Sequence, residues 1–115
     1  MKSPLYNRVL LKLSGEILAG KKEFGIDPNQ AKYLADEISS IYKLGIGIGL
    51  IIGAGNIFRG IKASDQGMDR VTGDYLGMLA TIMNAICLQD ALEKKKCQTR
   101  TLSAINVSQI SEPYI

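Results

Sequence analysis

The run Ile46–Ile52 is the segment that most limits how this chain can fold. It is preceded by Gly45 and cut off by Gly53-Ala54-Gly55-Asn56. A short apolar run between turn residues reads as a buried strand, the kind found in parallel sheets covered by helices. A strand that stops at so small a turn leaves backbone N–H groups exposed at its carboxyl end, where no side chain blocks an anion. Arg59, close behind, adds a full positive charge and a planar fork of donors suited to phosphate. The segment Ile51–Gly60 therefore points to nucleotide or phosphate chemistry.

The remaining pattern builds a sheet around that strand. Arg8-Val9-Leu10-Leu11-Lys12-Leu13 reads as another buried strand, with Ser14-Gly15 as its turn. Ala19–Gly25 is polar and glycine-flanked, a loop. Asp27 is a good N-cap and Pro28 suits the first helical position, so a helix is expected from there. Ala31, Leu34, Ala35, Ile38, Ile41 and Tyr42 follow at helical spacing, and Gly45 is expected to close the helix as a C′ glycine. Gly47 and Gly49 leave one face of the second strand nearly bare, so close packing, for example by a helix, is expected there. Residues 61–70 lack periodicity and read as a mobile loop.

A long helix is expected from about Thr72 to Lys95, with Tyr75, Leu76, Leu79, Ile82, Met83, Ile86 and Leu92 on its apolar side. Gly73 and Gly77 weaken its first turns and point to close packing or a ligand near that end. Thr99–Leu102 is expected to be a third strand. Strand, helix, strand, loop, helix, strand is the order of an α/β fold with a parallel sheet. Its ligand crevice lies at the carboxyl ends of the strands. Ser14-Gly15 and Gly53–Asn56 should then be neighbours in space. Three parallel strands make a poorly protected sheet, so the pattern fits the front half of a larger domain better than a small complete one.

Composition removes several chemistries. There is no histidine among the 115 residues, which excludes a Ser-His triad, histidine metal ligation and histidine base catalysis. An apolar content of 46% supports a real core in one domain, and a net charge of +3 with scattered positive residues gives no nucleic-acid signature. The triple lysine Lys94–Lys96 fits a solvated helix end, where cations oppose the helix dipole. Cys87 and Cys97 lack CxxC spacing and read as reduced thiols. Lys12 and Glu16 interrupt the apolar start, so no signal peptide is expected; no long unbroken apolar run predicts a membrane span. A cytoplasmic protein is expected.

Two phosphate motifs are near misses. Gly15–Lys22 approaches GxxxxGK[ST], but Lys22 stands where a Mg²⁺-binding hydroxyl is needed, and Glu23-Phe24-Gly25 follow where a helix should begin. Gly45, Gly47 and Gly49 lie before and within a strand rather than after it, and no third glycine follows Gly53 and Gly55. Lys12 is a charge inside an apolar strand, so it either faces solvent or reaches the crevice. Its place two residues before Ser14-Gly15 favours the crevice and an electrostatic role on a transferring phosphoryl group. Asp74, at the start of the long helix, is either favoured by the helix dipole or an acceptor for ligand hydroxyls. Ser14 has no base to activate it, so a turn or hydrogen-bonding role fits it better than a nucleophile.

Together, Leu10–Glu16, Phe24–Asp27, Ile52–Gly60 and Arg70–Asn84 resemble the bacterial-type UMP kinases of the amino-acid kinase family, in that family's order and spacing. The resemblance implies a three-layer α/β/α sandwich with a mainly parallel sheet, of which this chain, residues 1–115, would be the N-terminal, UMP-side part. It implies transfer of the ATP γ-phosphoryl group to UMP, giving UDP in pyrimidine nucleotide biosynthesis, with Mg²⁺ accompanying ATP. It also implies a homohexamer, with GTP as activator and UTP as inhibitor in many members. Lys12 and Arg59 would be catalytic. Lys12, Leu13, Ser14, Gly15, Gly55 and Arg59 would hold ATP phosphates, and Ala54 and Asp74 would bind UMP. Gly20, Lys21, Lys22, Glu23, Phe24 and Gly25 match the segment tied to GTP activation.

Two departures stand out. The family usually has three glycines where this chain has Gly53-Ala54-Gly55, and a methyl at residue 54 is tolerable only at negative φ. The family's second half, with its adenine pocket and further UMP contacts, has no counterpart here. Two rival readings follow: a non-catalytic nucleotide-binding or assembly module, and a sibling amino-acid or carbamate kinase. The sibling kinase leaves Thr72-Gly73-Asp74 less well explained.

Overall fold

In a computed structural model, residues 5–58 and 65–115 are described. Strand β1 (Arg8–Leu13) and strand β2 (Gly47–Ile52) pair in parallel, with Arg8 opposite Gly47 and Leu13 opposite Ile52. Helix α1 (Pro28–Tyr42) joins them, and helix α2 (Arg70–Glu93) follows β2. Mixed helices and parallel strands make this an α/β fold.

Helix α1 begins as its sequence predicts. Asp27 caps it by accepting from the Asn29 N–H at 2.9 Å, and Pro28 occupies the first turn. Its buried residues Ala31, Leu34, Ala35, Ile38 and Ser39 recur at helical spacing and pack on α2. The cap at the other end is Lys43, with Gly45 two residues further on at φ 83°. The core lies between the helices and the inner face of β1–β2. Leu18, Leu34, Ile38, Leu88 and Leu92 are buried, and Leu13, Ile48, Leu50 and Ile52 close over them.

The strands differ from the expectation of full burial. Each alternates, with Val9, Leu11 and Leu13 on β1 and Ile48, Leu50 and Ile52 on β2 turned to the core. Leu10, Lys12, Gly49 and Ile51 form the opposite face, which is exposed. No described helix covers the glycines. Instead, a Cβ at residue 49 would stand 3.1 Å from Leu10 Cδ1, so the bare position makes room for a side chain of the neighbouring strand.

Helix α2 starts at Arg70 rather than near Thr72, because Asp69 caps it through the Thr72 N–H at 3.1 Å. Its packed seam is Gly73, Ala80, Ile82, Asn84, Leu88, Ala91 and Leu92. Tyr75, Leu76, Leu79 and Met83, expected inside, are exposed. Leu88, Ala91 and Leu92 of this seam pack with Ala31, Leu34, Ala35 and Ile38 of α1 in the core. By length and mean hydropathy (1.3) α2 is long and apolar enough to cross a membrane, which the absence of an unbroken apolar run did not predict. Its inner face packs on α1 and holds a buried, hydrogen-bonded asparagine. The lysines after it form ion pairs at the helix end, Lys94 with Asp90 and Lys95 with Asp36. Both cysteines are free thiols.

The expected third strand does not join the first two. β3 (Leu102–Ser103) pairs in parallel with β4 (Glu112–Pro113) in a separate sheet. The preceding segment is pinned to α2: Gln89 Nε2 donates to the Thr99 carbonyl, and the Thr101 hydroxyl donates to Gln89 Oε1 at 2.7 Å. Arg100 forms a two-pronged ion pair with Glu112. A cavity of about 610 Å³ separates this segment from β2.

Candidate functional site

The carboxyl ends of β1 and β2 come together, as the parallel order predicts. Gly53 N donates to the Leu13 carbonyl at 3.0 Å, carrying the ladder one step past β2. Ser14, extended at φ −71° and ψ 138°, caps the short 3₁₀ turn Gly15–Leu18, its Oγ accepting from the Glu16 N–H at 3.3 Å. That is the turn role expected for this serine. Gly15 is buried directly against the second loop: a Cβ there would lie 2.6 Å from both the Gly53 carbonyl oxygen and Asn56 Oδ1. Only glycine permits such an approach.

The second loop turns tightly. The N–H groups of Ile57 and Phe58 both donate to the Ala54 carbonyl, at 2.9 and 3.0 Å. The amides of Ala54, Gly55 and Asn56 donate to no group among the described residues, and the half-buried Ala54 and Gly55 leave two consecutive N–H groups within reach of an anion, with that of the buried Asn56 behind them. Positive φ outside glycine is confined, among the described residues, to Glu23 and Lys96. Ala54 therefore carries its methyl without backbone strain, and the departure from three glycines costs the turn nothing locally.

Two residues that sequence reasoning left without a role lock this loop. Asn56 (1% exposed) and Asn84 (0% exposed) face one another and exchange hydrogen bonds in both directions, at 3.0 and 2.7 Å. Asn56 Nδ2 also donates to the Gly25 carbonyl, and Asn84 Nδ2 to the Gly53 carbonyl, both at 2.8 Å. Because backbone carbonyls only accept, these contacts fix the orientation of both side-chain amides. Gly25 N returns a bond of 2.7 Å to the Asn56 carbonyl. A signal for the pair was present in the sequence: Asn84 falls four residues from both Ala80 and Leu88, on a face that packs, and a polar group there needs a partner.

The other expected site residues lie around this centre. Lys12 is on the exposed face of β1, opposite Ile51, and pairs with no carboxylate among the described residues. Asp74 is exposed and accepts from Arg70 Nε at 3.2 Å; with Asp69 as the cap, it sits beyond the first turn. Gly20–Lys22 form a second 3₁₀ turn, Glu23 is left-handed at φ 61°, and Phe24 is exposed. Of that segment, only Gly25 is tied to the loop through Asn56. Arg59 lies outside the described residues. Among the described residues, no group of three or more His, Cys, Asp or Glu could hold a metal.

Comparison with known proteins supplies the context. A family model described as the amino acid kinase family matches residues 7–113. The solved structure of UMP kinase from Bacillus anthracis is similar with a TM-score of 0.87 and 41% identity over 96% of this chain. UMP kinase from Ureaplasma parvum is similar with a TM-score of 0.85 and 34% identity over 94%. In both cases the chain spans 46% of the relative's length.

Proposed function

This chain belongs to the amino acid kinase family, and from that premise we propose that it is the UMP-side part of a UMP kinase. The observation that carries the proposal is the close approach of Gly15 to Gly53 and Asn56 at the ends of two parallel strands. It is supported by the similarity to two UMP kinases across nearly the whole chain.

In the proposed reaction, a phosphate oxygen of UMP attacks the γ-phosphorus of ATP in line. The bond from that phosphorus to the bridging oxygen of ADP breaks, and UDP leaves. No protein nucleophile is needed, so the chain's work is positioning and charge stabilisation. The amides of Ala54 and Gly55 would hold phosphate oxygens, with Leu13, Ser14 and Gly15 as the facing wall, and Lys12 and Arg59 would offset charge on the transferring group. Asp74 would release Arg70 to accept from UMP. The described residues do not fit a protein-held Mg²⁺, so the ion is proposed to travel on the phosphates of ATP, and no step here depends on it. Hexamer assembly, GTP activation through Gly20–Gly25 and UTP inhibition belong to the same proposal for the whole protein.

The test is single-turnover UDP formation by a protein carrying both halves of the family domain. Lys12→Ala should slow the chemical step by roughly 10²-fold or more. A rate near that of the unchanged protein would remove Lys12 from the mechanism. The span of only 46% of each relative favours a second reading for the isolated chain, a nucleotide-binding module without turnover. Mixing the chain with ATP, Mg²⁺ and UMP separates the two: UDP supports an enzyme, and UMP binding without UDP supports the module.

A further inference from the structure

We propose that Asn84, on helix α2, is a positioning residue that aims the backbone N–H groups of the Gly53–Asn56 loop at a phosphate. The inference rests on the reading of that loop as a phosphate site. Asn84 lies beneath the loop, wholly buried, and acts only through its neighbours. Its Nδ2 draws the Gly53 carbonyl toward α2 at 2.8 Å. In a trans peptide the C=O and the following N–H point in opposite directions, and no described peptide is cis. Holding Gly53 C=O against α2 therefore turns the Ala54 N–H away from α2, outward from the core.

The second half of the lock acts on the far side of the turn. Asn84 and Asn56 exchange hydrogen bonds, and Asn56 in turn grips both sides of Gly25, through its side chain at 2.8 Å and its carbonyl at 2.7 Å. The loop is thus pinned at its first and fourth residues, while the amides of Ala54, Gly55 and Asn56 are left without described partners. All four N–H bonds of the two carboxamides are used, and neither side chain is open to water that could replace a lost partner. Gly15 packs against the same Asn56 oxygen, so any drift of the pair moves the opposite wall as well.

The ligand addressed is a phosphomonoester of a nucleoside, and the test separates its phosphate from its nucleoside. UMP and uridine are titrated into the folded 115-residue chain and into Asn84→Leu, which keeps bulk and removes both donors. A positioning role predicts that the variant loses UMP affinity by about tenfold or more, while uridine affinity changes by no more than about twofold. Equal losses for both ligands, or an unchanged preference for UMP, would overturn it.

Should Asn84→Leu fail to fold, the unchanged chain still decides. UMP should shift the side-chain NH₂ resonances of Asn84 and Asn56 together with the amides of Ala54, Gly55 and Asn56. Amide shifts with the Asn84 resonances unmoved would refute the coupling. Failure of the unchanged chain to prefer UMP over uridine is a different result, and it overturns the phosphate-site reading on which the inference stands.

Discussion

Replacing Gly15 with alanine places one methyl at the junction on which the site depends. The new Cβ would lie 2.6 Å from the Gly53 carbonyl oxygen, 2.6 Å from Asn56 Oδ1 and 2.8 Å from the Gly53 carbonyl carbon. The Gly53 atoms are backbone and cannot swing aside. The Asn56 oxygen is held by Asn84 Nδ2 at 2.7 Å in a position that is 1% exposed. Relief therefore requires the loops to separate or the asparagine pair to break. Overpacking of this kind costs about 1–3 kcal/mol, and one or two hydrogen bonds lost with it add roughly 0.5–1.5 kcal/mol each. The expected destabilisation is about 2–5 kcal/mol, or about 8–20 °C in Tm for a domain of this size. Urea denaturation followed by circular dichroism measures it. Gly77→Ala is the control: nothing lies within 4 Å of its Cβ position on α2, so alanine there should gain roughly 0.5–1 kcal/mol. A Gly15→Ala protein within ~0.5 kcal/mol of the unchanged chain would show that the two loops do not meet as described.

Other substitutions probe separate parts of the account. Ser39→Ala should stabilise by about 1–2 kcal/mol in the same denaturation assay, since Ser39 Oγ is buried without a partner among the described residues and alanine is the better helix former. Ala54→Gly should leave UMP affinity within about twofold, because the turn makes no use of a positive φ at that residue; a large gain in calorimetry would mean the methyl crowds the ligand. Arg100 donates to Glu112 and holds that carboxyl below its ordinary value of 4.5. A carboxylate depressed in the folded state contributes stability above its unfolded value and loses it as pH falls through the folded one. The protection factors of the Glu112 and Tyr114 amides, which bond to Thr101 and Ser103, should therefore fall below pH 4.5 once the intrinsic slowing of exchange in acid is divided out, and Glu112→Gln should abolish that acid-side dependence.

Local signals carried much of the fold. Asp27-Pro28 marked the start of α1, the apolar runs marked β1 and β2, and their order predicted parallel pairing and the meeting of Ser14-Gly15 with Gly53–Asn56. Helix α2 was legible in existence but not in orientation. It is apolar on several sides, and which of its apolar residues it buries is set by the fit to α1 and the strands, which hydrophobicity alone does not rank. β3 was misplaced because Gln89 of α2 holds the Thr99 carbonyl and the Thr101 hydroxyl while the Thr101 carbonyl accepts from Glu112, tertiary choices invisible in a β-prone segment. At the site, the turn and its glycines could be read directly. The Asn56–Asn84 lock could not, since it joins residues 28 apart in the chain and depends on one helix and two loop segments already being in place.

The measurement closest to the central claim is an amide chemical-shift map of the ¹⁵N-labelled 115-residue chain titrated with UMP. A phosphate wall formed by the two strand ends predicts saturable shifts centred on Ala54, Gly55 and Asn56, extending to Ser14 and Gly15, with uridine producing much smaller changes at the same residues. Shifts absent from both loops, or equal for UMP and uridine, would contradict it.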